Sequence, residues 1–589
     1  ITKNAAKVTS QDEYNFSKQK LISDFENILK NSKTLMDYIS QYWAIEQIIT
    51  DKADSKTLTE SFFGRTTNLY EQNLDEIKQL HQDEQPFVFV LVNSKTYKNY
   101  RTAFKKAGYE AVDIKNGSWY TQKLYKNAIL GISEEKLLEE KKSTTTQDFF
   151  SDFEKNNSQN FDSFTLQNGI PVTVKSNNQT SNAVILISIK GGKLADKGNS
   201  GFTNVMTNAF ASNIQNEIYK QKYFGTIKGT PEILAETNLS YSTISVECNY
   251  EDLENCIKAI SDALIFGEIL PADADSYVYS VQTQKRLYNG SPVNQLYSKA
   301  INYLYSSADY KNAFDSEKDI LEFTNYLDIL EAYPKFLNAS LYNVVIIGNT
   351  NTEQIKTALE KSIGQLSTPN SKTEIKPLKI PEPNFTKSKK LSVKIRHLFY
   401  TDVAAEDAGP MPAILVPTKN FEDPVQFWVK SPEATSKEFA YFSALSFYLA
   451  DQMEELGSNQ NITSKIQIAN ASKNIPAASF TFLNVAKVSN VNTLYKNTIA
   501  NLKEKLKNPE ANIIHDIKTS WLMNTLSSTQ TNRGTAILIN EGINNFGDSK
   551  KYIKDYELIA NSTETDFLAI LNDYFPEEAQ LRLYSADAK

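Results

Sequence analysis

The sequence predicts an α+β fold made of repeated units, in each of which helices cover an antiparallel sheet. One order of strands and helices occurs twice, on either side of a Pro- and Lys-rich segment at residues 368–390. The chain has 589 residues, enough for roughly three to five compact units. Its 40% hydrophobic and 23% charged residues exclude the disordered and low-complexity classes. We therefore expect several folded domains with cores of their own.

Charge and cysteine content exclude further classes of protein. The chain carries 63 Lys and Arg against 70 Asp and Glu, and this net charge of −7 argues against a nucleic-acid partner. Two cysteines cannot form a disulfide scaffold, so we interpret Cys248 and Cys256 as buried thiols, with a single disulfide between them as the alternative. The longest apolar runs have the length of strands, and no membrane span is predicted.

The first complete unit is predicted at residues 161–367. It begins with a hairpin at 163–175, because Asn168-Gly169 between alternating strands is a strong turn signal. Apolar residues at helical spacing predict a helix at 201–214. The other predicted elements are strands at 183–190, 241–248 and 341–347, and helices at 253–265, through 277–288 and beyond, near Thr324 and from Thr352.

The same order returns in a second unit at residues 391–589, after a linker at 368–390. Its last helix is capped by Ser562 or Thr563. The predicted elements are strands at 424–430, 465–471, 477–483 and 579–584, and helices at 433–455, 491–506, 513–526 and 566–574.

Residues 1–115 match only the second half of this plan. They contain a predicted helix from Asn15, a helix ending at 70–80, a strand at 86–92 and a helix at 97–107. Half a sheet cannot bury its own apolar face, so we expect polypeptide missing from this sequence to complete the unit. The segment 116–160, with a solvated helix at 134–142, would then join two halves of a larger molecule.

Residues 163–175, the strand before Gly191-Gly192 and the run 201–210 resemble the pitrilysin/insulinase family of zinc metallopeptidases, which includes the mitochondrial processing peptidases. By element order the resemblance covers essentially the whole chain. It implies four homologous α+β units, arranged as two clam-shell halves around a peptide chamber. It also implies an inverted zinc motif, His-x-x-Glu-His, in the first unit of the complete molecule.

The matching positions here have lost their zinc chemistry. In the motif two imidazoles bind Zn²⁺, the Glu activates the bound water, and a later carboxylate completes the ligand set. This chain has Asn204, Thr207 and Asn208 instead, and Thr283 and Gln284 near the expected carboxylate. Amides are poor zinc ligands and a Thr hydroxyl is no general base near neutral pH. We expect no cofactor in this chain, and zinc in a missing N-terminal portion or a partner chain.

The three histidines lead to the same expectation. His81, His397 and His515 lie in three different units, and no two have the spacing of a zinc helix. His81 precedes Gln-Asp-Glu-Gln without a second His, so we interpret it as a solvated helix terminus. A metal site built from this chain alone is not expected.

The resemblance also implies an Arg and a Tyr that reach the substrate from the last unit. The matching run, residues 451–458, has Asp451 and Ser458 at those positions, which leaves Tyr448 or Lys465 as candidate substrate contacts. The alternative is that Leu456-Gly457 in this run is only a helix C-cap. The sequence contains no nucleophile elbow, no phosphate loop and no dinucleotide-binding turn.

The leading hypothesis is the C-terminal, non-catalytic part of a zinc peptidase that degrades peptides or unfolded polypeptides, with this part closing the chamber. Its partners would be the N-terminal half of the same protein or an active peptidase, together with the peptide. The runner-up is an inactive homologue that acts as a peptide-binding or assembly subunit, and a third hypothesis is an independent peptide-binding or surface protein. The compartment stays open, although a start without Met and few cysteines favour an extracytoplasmic one.

Overall fold

The chain forms two compact units, residues 1–149 and 150–589, in a computed structural model. In the first unit the structure describes residues 94–107 and a few single helical positions, and Ser94–Lys106 forms helix α1, which confirms the helix predicted at 97–107. The other elements predicted before residue 94 lie outside the described residues. In the second unit it describes Phe153, Asn157 and residues 159–585, apart from 178–179, 181, 197–200, 306–309, 311–312, 314–325, 368–381, 386–388, 394–423, 459–462, 470–474, 484, 486 and 509–512.

The first sheet of the second unit has six strands in the order β1-β2-β6-β3-β5-β4. Neighbouring strands are antiparallel except β2 and β6. Gly169, with φ 86°, makes the turn of the predicted β1–β2 hairpin. The strands are β1 Phe161–Thr165, β2 Pro171–Ser176, β3 Asn182–Lys190, β4 Glu232–Thr237, β5 Tyr241–Asn249 and β6 Tyr342–Gly348.

Helices cover one face of this sheet. Ile185 and Ile187 of β3 share a buried apolar cluster with Phe210 of the first of these helices. The predicted long helix through 277–288 is two helices, because the chain turns at Ser291 before a new helix starts at Pro292. The helices are α2 Phe202–Tyr223, α3 Leu253–Phe266, α4 Pro271–Gly290, α5 Pro292–Leu304, α6 Tyr326–Phe336 and α7 Thr352–Glu360.

The second sheet has five strands in the order β7-β11-β8-β10-β9. Only β7 and β11 are parallel among its neighbours. β7 was not predicted, and it begins inside the segment predicted as a linker. The strands are β7 Lys389–Val393, β8 Val425–Lys430, β9 Thr463–Ala469, β10 Ala477–Leu483 and β11 Leu581–Ser585.

The second half of this unit consists of the second sheet and the helices that follow β8 along the chain. Three of its elements were not predicted from the sequence: α11, a π-helix and α12. The last helix, α13, starts with a capping box of Thr563 and Asp566, which decides between the two predicted caps. The elements are α8 Glu438–Ser458, α9 Val488–Leu506, α10 Ile513–Thr529, α11 Asn532–Glu541, the π-helix Gly542–Phe546, α12 Lys551–Ala560 and α13 Glu564–Tyr574.

Each half places a helix on the sheet of the other. α11 packs on β3 and β6 of the first sheet, where Leu186 and Val345 join Ile539 in one buried cluster. α5 packs on β8 and β11 of the second sheet, where Ile301 lies in a cluster with Trp428. This exchange joins the two sheets in one compact body and confirms the predicted α+β class.

Cys248 and Cys256 are buried free thiols, so the disulfide alternative is wrong. Within the part of the chain that the structure describes, every helix is too short or too polar to cross a bilayer.

Candidate functional site

Helix α2, which carries the degenerate zinc motif, is fixed at its start by Asp196. The Asp196 carboxylate accepts hydrogen bonds from Gly201 N at 2.8 Å and Thr203 N at 2.9 Å, and so takes over the role of an N-cap. Burial raises the pKa of Asp196, and these hydrogen bonds act in the opposite direction. The start of α2 is therefore held just after the end of β3.

Three motif positions lie together on the side of α2 that faces β4. Thr207 is buried and donates to Thr203 O at 2.7 Å, while Asn208 Nδ2 lies 3.3 Å from Asn204 Oδ1. Thr237 Oγ1 of β4 lies 3.3 Å from Asn204 Oδ1 and 3.2 Å from Thr207 Oγ1. Asn204, Thr207 and Asn208 thus form, with Thr237, a neutral hydrogen-bond network that ties α2 to β4.

This network has the wrong donor set for zinc. It holds amide and hydroxyl oxygens, whereas Zn²⁺ takes imidazole, thiolate and carboxylate ligands. Among the described residues, no group of three or more His, Cys, Asp or Glu side chains could hold a metal ion. Thr283 is partly buried and Gln284 exposed on α4, and no hydrogen bond between described residues joins either of them to the network.

The other predicted site residues are scattered. Tyr448 is 6% exposed in the apolar core of the second half, where burial and nearby carboxylates, Asp516 first among them, raise its pKa. Lys465 lies on β9 opposite Thr481. A substrate contact by either residue stays a prediction.

Two further expectations concern the same helices. His515 on α10 lies 3.6 Å from Asp516 and is partly exposed, whereas His81 and His397 fall outside the described residues. Leu456-Gly457 lies within the last turn of α8, which continues to Ser458.

Strand β4 forms one edge of the first sheet, and β5 is the only described strand that pairs with it. One face of β4 packs towards α2, while the other carries Glu232, Leu234 and Glu236, all exposed. An edge strand offers unpaired backbone N–H and C=O groups to an extended chain. β4 was not predicted, because Leu234 on its exposed face interrupts the alternation of polar and apolar residues that indicates a strand.

A cavity of about 310 Å³ opens beside the turn that follows β4. Its other walls come from α8, α10, α11, the π-helix and α12. It is lined by six aromatic side chains, namely Tyr241, Phe439, Phe447, Trp521, Phe546 and Tyr552.

Carboxylate side chains determine the charge at the wall of this cavity. Burial, with the charge of Glu236 as a smaller cause, raises the pKa of Glu541 to about 7. Asp555 forms an ion pair with Lys551, whose ammonium also lies 4.9 Å from the centre of the Phe546 ring. Glu541 therefore lines the cavity, and a second carboxylate, that of Glu236, acts on it.

The π-helix shapes this wall, and π-turns inside helices are frequent at functional sites. A Cβ on Gly542 would clash with the carbonyl oxygen of Asp548, and Gly547 takes φ +70°. Both ends of the π-helix therefore depend on glycine, and these two glycines were its signal in the sequence. The cavity residues themselves were missed.

Solved structures show what this architecture is similar to. A protease from Helicobacter pylori matches with a TM-score of 0.59 at 15% identity, over 72% of this chain and 99% of its own. An M16-like peptidase from Alicyclobacillus acidocaldarius gives 0.55 at 11% identity, over 72% of this chain and 97% of its own. A peptidase M16 inactive domain from Pseudomonas fluorescens gives 0.54 at 11% identity, with the same coverages.

The chain has the fold of the M16 peptidases. This confirms the predicted pitrilysin-like fold. No protein-family model and no curated protein sequence matches the chain, and identities of 11–15% concern the fold alone. At the positions where the resemblance implies zinc ligands and the catalytic Glu, helix α2 carries Asn204, Thr207 and Asn208.

Proposed function

We propose that this chain is the non-catalytic part of an M16-type zinc peptidase, and that it helps to enclose an extended peptide or unfolded polypeptide. The observation that carries the proposal is the neutral network of Asn204, Thr207 and Thr237, which sits in an M16 fold directly behind the edge strand β4. This chain keeps the strand beside the motif helix but not the ligands. Zinc and the catalytic Glu would belong to an N-terminal portion or a partner chain.

Peptide binding would use the backbone of β4. A peptide that adds to a sheet edge forms main-chain hydrogen bonds, so recognition depends on extension more than on sequence. The exposed side chains of Glu232, Leu234 and Glu236 would contact such a peptide and set a mild preference. A role in holding the substrate, and not in cleaving it, fits a motif helix α2 that carries no metal ligands.

Native mass spectrometry with metal analysis of the same sample tests the assignment to a larger peptidase. A second polypeptide with one bound zinc supports it. A lone, zinc-free chain of 66.5 kDa argues against it and favours the runner-up, an inactive homologue that binds peptides or assembles beside an active partner. The likeness to a domain described as inactive is what favours this second candidate.

A binding assay tests the role of β4. We expect labelled ten-residue peptides to bind, and peptides N-methylated at alternate positions to bind at least about tenfold more weakly in one of the two registers. Leu234→Glu should weaken binding, whereas Leu330→Glu on α6, a substitution of a similarly exposed leucine (44% and 46%), should not. Equal affinity of methylated and unmethylated peptides would exclude backbone recognition by β4.

A further inference from the structure

Two side chains at the cavity at the end of β4 carry a buried polar atom that lacks a partner among the described residues. Asn545 is 8% exposed and Tyr552 6%, and both line the cavity. Asn545 forms a side-chain hydrogen bond with Tyr241, but its Oδ1 accepts none from the described residues, and Tyr552 Oη is equally without a partner there. Each of these two atoms has less than 1 Å² of accessible surface, so a ligand in the cavity would contact other groups of the lining.

A carboxylate also lines this cavity. Glu541 is partly buried at the same wall, and the charged group that acts on it among the described residues is Glu236, another carboxylate. Lys551 is already paired with Asp555. The cavity therefore has a negative group without a cation beside it among the described residues, which suits a cationic ligand.

The aromatic lining favours the same kind of ligand. Ammonium and guanidinium groups are attracted to the faces of aromatic rings. The rings of Tyr241, Trp521 and Tyr552 line the cavity together with Glu541. An anion would meet the Glu541 carboxylate, and a neutral apolar ligand would leave that carboxylate without a partner.

We propose that this cavity binds the ammonium or guanidinium group of a basic amino acid side chain, with Glu541 as its counter-ion and the rings of Tyr241 and Trp521 beside it. A volume of about 310 Å³ is at the small end of ligand sites and fits one side chain better than a folded partner. Because the cavity lies at the turn after β4, a peptide on β4 could insert such a side chain, but binding of the isolated group needs no peptide.

Trp521 provides the readout, since it lines the cavity. The full chain is titrated with Nα-acetyl-lysine amide and Nα-acetyl-arginine amide, and with Nα-acetyl-norleucine amide as the uncharged analogue, at about pH 8, where Glu541 is mostly ionised. We expect saturable fluorescence changes with at least one basic amide and none with norleucine amide. In Trp521→Phe the change should disappear.

Glu541→Gln keeps the shape of the side chain and removes its charge, and it should weaken binding at least about tenfold. Glu557→Gln, an exposed carboxylate on α12, is the matched control and should bind like the wild type. The proposal is overturned if Glu541→Gln binds as the wild type does, if norleucine amide binds equally well, or if no amide binds. None of these results bears on the N-methylated peptide assay, so the two proposals can fail separately.

Discussion

Arg533 and Glu247 form a largely buried ion pair, with 3.2 Å between Nη2 and Oε2, where α11 of the second half meets the first sheet. The same guanidinium lies 3.0 Å from Glu232. Glu232 and Glu247 are directly opposite each other on β4 and β5, a like-charge pair that would destabilise the sheet edge on its own. One arginine from the other half forms ion pairs with both carboxylates and reduces their mutual repulsion.

Arg533→Met should therefore be costly. It leaves two facing carboxylates without their cation, and we expect the free energy of unfolding to fall by about 2 kcal/mol or more, as measured by urea denaturation. Lys258→Met removes a more exposed ion pair with Asp262 on α3 and should cost less than about 0.5 kcal/mol. Similar small losses for both variants would contradict the role of Arg533.

Asn532, the neighbour of Arg533, is expected to contribute about as much to the free energy of unfolding. Its Nδ2 donates to Asn182 O and to Thr180 Oγ1, both at 2.9 Å, and its Oδ1 accepts from Asn177 at 2.8 Å. Asn532→Ala leaves several buried groups unpaired and should lower the free energy of unfolding by about 2–3 kcal/mol.

The control for this variant is Asn524→Ala, since Asn524 is an exposed residue of α10 that hydrogen-bonds to Ser520 O. It should change the free energy of unfolding by less than about 0.5 kcal/mol. If both asparagine variants unfold at the same urea concentration, the contact of α11 with the first sheet does not depend on Asn532.

The same asparagines explain where sequence reasoning succeeded and where it stopped. Strands such as β3 and β6 were predicted from their runs of apolar residues, and almost all of these residues are buried in the structure. In α11 and the π-helix, buried positions include Asn532 and Asn545, which hydrogen-bond to other chain segments, so the helical apolar pattern is broken there.

The two parts of the candidate site differ in the same way. Asn204, Thr207 and Asn208 share one helical turn and could be identified from a local motif. The cavity is assembled from the turn after β4 and from helices about 200 residues or more further along the chain, so Tyr241 and Glu541 meet only through tertiary packing. No local pattern in a single sequence carries that information.

The buried thiols give a third prediction. The hydrogen bond with Cys256, and after it burial, raise the pKa of Cys248, which removes the reactive thiolate. We expect both cysteines to react with Ellman's reagent at least about 100-fold more slowly in the native protein than in concentrated guanidinium chloride. Two thiols should be titrated after unfolding without added reductant, and fewer than two would indicate a disulfide.

The fourth prediction concerns pH and Glu541. Its pKa is raised from 4.5 to about 7 in the folded chain, so between these values the folded state binds more protons than the unfolded state. The contribution of Glu541 to the free energy of unfolding must therefore fall as the pH rises through this window. Glu541→Gln removes that contribution. Relative to the wild type, the variant should gain about 2–3 kcal/mol of stability between about pH 5 and pH 8.

Urea denaturation of both proteins across this range measures the difference directly. Asp196 and Asp555 also have raised pKa values, but they are common to both proteins and cancel in the comparison. Glu557→Gln, which changes an exposed carboxylate, should run parallel to the wild type at every pH. If Glu541→Gln runs parallel as well, Glu541 is ionised without cost in the folded chain, and the cavity does not hold an uncompensated charge. If Glu541→Gln is more stable than the wild type only at the alkaline end of this range, the ionised Glu541 carboxylate destabilises the fold. This is the result expected for a side chain that is kept for a cationic ligand.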